Sequence, residues 1–196
     1  MACRTSLSKL LSLPMLLLFL TQIRMIDSMT FLDKSRSYAI YDSWNITSVG
    51  KLELTFKTQS SYCVIMYLDS RKVNSYGNYD DKNNNKGSTS SKADHSFLHV
   101  SLEQGSVVVT QQIASQKNVR VVRIGHDLND LEWHRLVITK FVGTLQVEVD
   151  SLHQIVNYPN DLEEKFKIES RLYVGGLSEK KLEQNTVPDS IKYMTR

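Results

Sequence analysis

Cysteine is almost missing from this chain. Of its two cysteines, Cys3 lies in the first residues and only Cys63 lies further in, so no internal disulfide can staple the body of the protein. Cys63 sits in the apolar run SYCVIMYLD and reads as an unpaired core thiol. Charge of one sign is missing too. Lys and Arg number 24 against 21 Asp and Glu; residues 1–28 hold Arg4, Lys9, Arg24 and Asp27, which leaves 21 against 20. A field that weak excludes nucleic acid as an expected partner. Apolar runs long enough to span a bilayer are lacking. The longest, Leu10–Leu20, is about half of the roughly 20 residues a spanning helix needs, and Ser12 and Pro14 interrupt it. With Arg4 and Lys9 ahead of it and small or polar residues behind, residues 1–28 read as a secretory signal peptide, and the remainder as secreted or extracellular.

Helical periodicity is also scarce; what is present is strand. KLELTFKT (51–58) alternates, with Leu52, Leu54 and Phe56 on one face. CVIMYLD (63–69) is continuously apolar, as a strand covered on both faces would be. SFLHVSLEQGSVVVTQQI (96–113) reads as two strands about a turn at Glu103-Gln104-Gly105. HRLVITK (134–140) and TLQVEVD (144–150) form a hairpin about Gly143, LHQIVNY (152–158) follows as a strand ended by Pro159, and RLYVGGL (171–177) is the last. The fold class is therefore all-β, an antiparallel two-sheet sandwich of the jelly-roll kind. DLEEKFKI (161–168) fits neither period and is read as loop.

Two segments stand outside this pattern. Residues 70–95 are rich in Asn, Ser, Lys, Asp and Gly and nearly free of aliphatic side chains, so they bury too little to offset the entropy of ordering. They read as a long loop, either a recognition loop or a solvated insertion. Residues 179–196 read as an irregular tail after a domain at 29–178. Asn45-Ile46-Thr47 is the one glycosylation sequon, with Asn45 as acceptor.

Catalytic chemistry finds little support. No Gly-x-Ser-x-Gly elbow and no His-Glu-x-x-His pair occurs. His134 has Asp130 and Glu132 near it, but at a polar turn opening a strand it reads as structural, with Trp133 tucked under the sandwich edge. His95 and His99, close to Asp94, would share a strand face and could meet one metal; they read instead as solvent-exposed rim residues. Paired carboxylates for sugar hydrolysis would have to come from Glu53, Glu103, Glu148 or Asp150, and the last two are expected to face solvent.

SYAIYDSWN before KLELTFKTQ, VIMYLDS, FLHVSLEQGSVVV, the turn and hairpin LNDLEWHRLVITKFVGTLQVEVDS, and RLYVGGL stand in the order found in laminin G-like domains. On these five motifs, over residues 30–177, the chain resembles that family. Within it, the Tyr-rich strand before Trp44-Asn45 and a leader running straight into the domain resemble the N-terminal G-like domain of the neurexins. The resemblance implies a non-enzymatic adhesion or synapse-organising ectodomain that meets partner proteins, and glycans, at the sandwich rim. It also implies calcium at that rim, with Asp94 and Glu169 as candidate ligands; Ser96 stands where many members carry an acidic residue. A carrier of a small apolar ligand between the sheets and a carbohydrate-active jelly roll are the other readings. The family's closing Phe-(Arg/Lys)-Gly-Cys segment has no counterpart after Gly176. The chain therefore reads as truncated, with an exposed edge beside its terminal strand.

Overall fold

The computed structural model describes residues 29–31, 37–42, 44, 49–70, 95–114, 119–157, 168, 170–183 and 187. The chain divides into two units, Met1–Thr30 and Phe31–Arg196, and the fold below is that of the second. The leader, the sequon Asn45, the calcium candidates Asp94 and Glu169, and nearly all of the 70–95 and 161–168 loops lie outside the described residues.

Among the described residues ten strands form two antiparallel sheets. They are β1 (Ala39–Tyr41), β2 (Gly50–Phe56), β3 (Tyr62–Asp69), β4 (Phe97–Glu103), β5 (Ser106–Gln112), β6 (Arg120–Ile124), β7 (His134–Phe141), β8 (Thr144–Val149), β9 (Leu152–Asn157) and β10 (Leu172–Val174). One sheet has the order β1-β10-β3-β4-β5-β6 and the other β2-β7-β8-β9. The alternation of side chains on a pleat sends Leu98, Val100 and Leu102 of β4 inward, against Leu136, Ile138, Leu145, Val147 and Val149 of the facing sheet.

β3 departs from strict alternation. Its register against β4 shifts between Val64 and Met66, a bulge that lets the adjacent Ile65 and Met66 both enter the inner core. Val64 and Tyr67 face the other way, into a second cluster with Phe97, Tyr173, Leu177 and Val187. The unbroken apolar run in the sequence is thus a strand covered on both faces. Gln104 and Gly105 both have positive φ, 53° and 72°, the backbone of a tight two-residue hairpin whose twist matches its strands.

One strand is added and two expectations are corrected. The segment Arg120–Ile124 is a strand that alternation did not announce, because Arg120 and exposed Val121 invert its pattern. The terminal strand does not lie beside a bare edge: β10 pairs with β1 on one side and β3 on the other. The stretch after residue 178, expected to be irregular, carries one helical turn, α1 (Glu179–Leu182), capped by Ser178, whose hydroxyl accepts from the Lys181 N–H.

That turn delivers Lys181 into the second cluster, where its side chain is fully buried and its ammonium pairs with buried Asp69. The Tyr67 hydroxyl donates to the same carboxylate at 3.3 Å, and the ammonium lies 5.6 and 5.8 Å from the Tyr67 and Tyr173 ring centres. Removing one partner of a buried ion pair takes compensation away from a charge that stays out of water. Lys181→Met is therefore expected to lower the free energy of unfolding by about 3–5 kcal/mol in urea titration. The double change Lys181→Met with Asp69→Leu recovers a large part of that loss.

Candidate functional site

The loop from Gly125 to Trp133 carries the chain from β6 to β7 across one rim of the sandwich. Its root is fixed by buried Leu128, whose N–H donates to the Gly105 carbonyl at 2.9 Å. Gly105 is needed for two reasons. Its φ is positive, and a Cβ there would stand 2.6 Å from Asn129 Oδ1. Further along, the Leu131 N–H donates to the Thr58 carbonyl at 3.2 Å, tying this loop to the one between β2 and β3. Leu131 itself has φ +66°, an uncommon conformation for a leucine, and is 48% exposed.

At the end of the loop stands His134, buried and packed against Phe56 with ring centres 5.6 Å apart. Its Nε2 lies 3.0 Å from Asp130 Oδ1 and its Nδ1 lies 2.9 Å from Asp150 Oδ2. Both carboxylates are oriented from elsewhere. Asp130 accepts from the Glu132 N–H at 2.8 Å, and Asp150, at the tight β8–β9 turn with φ +53°, accepts from the Arg135 N–H at 2.8 Å. An imidazole facing two carboxylates satisfies both only when both of its nitrogens carry protons. Burial opposes that charge, but the hydrogen bonds to Asp150 and Asp130, with their Coulomb attraction, outweigh it and raise the His134 pKa above 6.5. Asp130 is lowered by the Glu132 N–H and by His134. For Asp150, burial pushes upward, and the Arg135 N–H and His134 bring it below its ordinary value.

Both ring nitrogens of His134 are engaged. A general base needs a ring nitrogen open to a substrate proton, and here each nitrogen already faces a carboxylate. The structure brings together His134, Asp130 and Asp150. From Glu132 it uses the backbone N–H. Asp150 is the member missed in the sequence, where it reads as a solvent-facing strand residue; the signal was its place directly after the hairpin.

Trp133, expected beneath the edge, instead projects outward and is 62% exposed. The other proposed carboxylates are dispersed. Glu53 bonds Arg135 at 2.7 Å and Lys51 at 2.9 Å, and these partners pull it down to about 2. Glu103 accepts from Ser101 at 2.9 Å and pairs with Arg123 at 3.3 Å, while Glu148 accepts from Gln146 at 2.7 Å.

The opposite rim, where β3 ends and β4 begins, is the one to which the calcium candidates belong in sequence. Its described residues are committed to one another. The Ser70 N–H donates to the Ser96 carbonyl at 2.9 Å, Ser96 Oγ accepts from the Ala114 N–H at 2.9 Å, and Ser170 Oγ accepts from the Asp69 N–H at 2.8 Å. The Asp69 carboxylate pairs with the Lys181 ammonium. Among the described residues no group of three or more His, Cys, Asp or Glu is placed to hold a metal. His99, expected on the exposed rim, is buried in β4 beside Tyr67, and burial lowers its pKa to about 3.

The family model for the Laminin G domain matches residues 56–193. The chain belongs to the laminin G domain family. Its members are binding modules. Among solved structures, the mouse laminin alpha1 chain, domains LG4-5, is similar with a TM-score of 0.54 at 16% identity, over 74% of this chain and 33% of that one. The LG1-3 region of the laminin alpha2 chain is similar with a TM-score of 0.50 at 16% identity, over 79% of this chain and 27% of that one. The chain thus spans about a third or less of the length of these relatives, and at that identity the likeness speaks for the fold alone. Compared by sequence with curated proteins, the chain finds no match.

The His134 network sets a dependence on pH. Because its folded pKa is raised above the unfolded value, its contribution is fully present below about 6.5 and is lost as pH rises through the raised value. The two aspartates contribute above the ordinary carboxylate range and lose that contribution as pH falls toward their lowered values. His134→Gln is expected to lower stability by about 1–3 kcal/mol at pH 6. Melting curves across pH should converge with those of the wild type on the alkaline side.

Proposed function

We propose that this chain is an extracellular, non-enzymatic binding module of the neurexin-like adhesion type, reached by secretion and meeting partner proteins at the rim that carries Leu131 and Trp133. The observation that supports this most directly is an exposed indole held on a rigid mount. Trp133 directly precedes an imidazole clamped by two carboxylates, so its backbone is positioned before any partner arrives. Tryptophan on a preorganised surface is the kind of side chain that carries a disproportionate share of binding energy, since little conformational freedom remains to be lost. Catalysis would call for an imidazole with a free nitrogen; binding calls for one that does not move.

Calcium belongs to this reading through Asp94 and Glu169, and glycosylation through Asn45. The interior between the sheets is taken up by Leu, Ile, Val and Met side chains, the core of a solid sandwich, which leaves the apolar-carrier reading without a supporting observation.

Binding of the labelled chain to the surface of cultured neurons or epithelial cells tests the proposal. Trp133→Ala is expected to reduce saturable binding by roughly tenfold or more while leaving the melting temperature within about 2 °C, because the side chain is mostly in solvent. Cell binding indifferent to Trp133, or polysaccharide cleavage that purifies with the chain, overturns it. Added calcium should raise the melting temperature of the wild type, and Asp94→Asn with Glu169→Gln should abolish that rise.

A further inference from the structure

The charge of the rim around Trp133 is lopsided. Four segments meet there, and every residue of them is described: 57–61, 104–105, 125–133 and 150–151. Backbone bonds from Leu131 to Thr58 and from Leu128 to Gly105 join three of them, and the contact of His134 with Asp150 joins the fourth. Together they hold four carboxylates, Asp127, Asp130, Glu132 and Asp150, against one lysine, Lys57, and no arginine. The whole chain has 24 Lys and Arg against 21 Asp and Glu, so this acidity is local. Asp130 and Asp150 are turned to His134, and Asp127 meets only the solvent-exposed His126. The side chain of Glu132, next to Trp133, bonds to nothing among the described residues. Apolar side chains stand open among these charges: Trp133 is 62%, Leu131 48% and Tyr62 48% in solvent. Leu131 is held at φ +66° by its bond to Thr58, a backbone conformation that leucine does not favour on its own and that recurs at contact sites.

We infer that this rim receives a basic segment of a partner protein, one that lays an arginine on the Trp133 indole beside apolar contacts to Leu131 and Tyr62. The inference rests on the binding reading above and adds to it the charge of the partner. Three physical reasons favour arginine. The face of an indole attracts a cation, and a planar, weakly hydrated guanidinium stacks on it better than an ammonium does. Glu132 and Asp127 supply carboxylates for the fork of N–H donors that the guanidinium presents. Leu131 and Trp133 offer apolar area that a charged partner alone would leave in water, so the segment alternates basic and apolar side chains. A polyanionic glycan meets the reverse situation. Four carboxylates face it, only Lys57 and the His134 imidazolium oppose them, and like charges repel.

Fluorescence of Trp133 in a Trp44→Phe background is the readout, since the chain has only these two tryptophans. If Trp44→Phe folds poorly, the Trp133 indole N–H signal in NMR of the unchanged chain gives the same reading. The probes are the blocked peptide Leu-Arg-Leu-Arg, its Leu-Glu-Leu-Glu analogue, and heparin as a polyanion. The arginine peptide is expected to shift the Trp133 signal saturably at low salt, and the other two to leave it unchanged. Glu132→Lys together with Asp127→Asn, which suits the φ of +54° at that position, should raise the dissociation constant of the arginine peptide by about tenfold or more. Asp42→Lys, exposed just beyond β1, changes the charge of the chain without touching this rim and leaves binding as it was. No response to the arginine peptide, a response indifferent to Glu132 and Asp127, an equal loss with Asp42→Lys, or saturable heparin binding at Trp133 overturns the inference. Cell-surface binding separates it from the reading beneath. Binding lost with Trp133→Ala but unmoved by Glu132→Lys with Asp127→Asn keeps the rim and removes the basic partner; binding unmoved by either removes the rim itself.

Discussion

Strand β3 is buried on both faces, and most of the molecule is arranged around that constraint. A strand with two apolar faces in a two-layer sandwich has one face too many, because the facing sheet covers only one of them. The bulge at Ile65 enlarges the inner contribution, and the outer face, Val64 and Tyr67, has to be covered by chain from elsewhere. That cover is Tyr173 in the neighbouring strand, then Leu177 and Val187 further on. The same requirement draws Lys181 out of water. A lysine there is tolerable because Asp69 sits at the end of β3, and because two tyrosine rings take the remaining solvation role. Burial on two sides is therefore what makes the chain after the last strand part of the domain.

Much of this was legible beforehand where a residue's role depends on its immediate neighbours. Alternation located β2, β7 and β8, and the Gln104-Gly105 turn announced its hairpin, because pleat and turn are local properties. β6 was not legible, since its inward and outward positions are set by its partner β5 and its arginines mask them. The position of β10 between β1 and β3 was equally hidden, because strand order is a fact about distant segments. At the rim, His134 was legible only as a residue opening a strand after a polar turn, and its two carboxylate partners were not both in view. Asp150 is sixteen residues further on and reaches the ring only because the β8–β9 turn folds back, with Asp150 itself in a left-handed conformation. Trp133 was misplaced by a sound generality: large aromatics usually bury, and exposed ones call for a partner.

The rim illustrates how identical side chains serve opposite ends. A histidine with one carboxylate and one open nitrogen transfers protons; a histidine with two carboxylates holds its ground. What separates the two is whether the second nitrogen faces water or an aspartate, and here Asp130, itself fixed by the Glu132 N–H, settles the matter. The cost is a group that must stay charged in a largely buried position. The gain is a loop end with few alternative conformations, as contact surfaces that bind without rearrangement need.

One backbone bond has a wider reach than its single donor and acceptor suggest. The Ser70 N–H meets the Ser96 carbonyl, so the chain departs from β3 and re-enters β4 through a closed neck. Whatever lies between those serines is topologically a side branch of the sheet. Its closure entropy grows only with the logarithm of its length. A change in the length of the segment between the two serines therefore costs the sandwich beneath little.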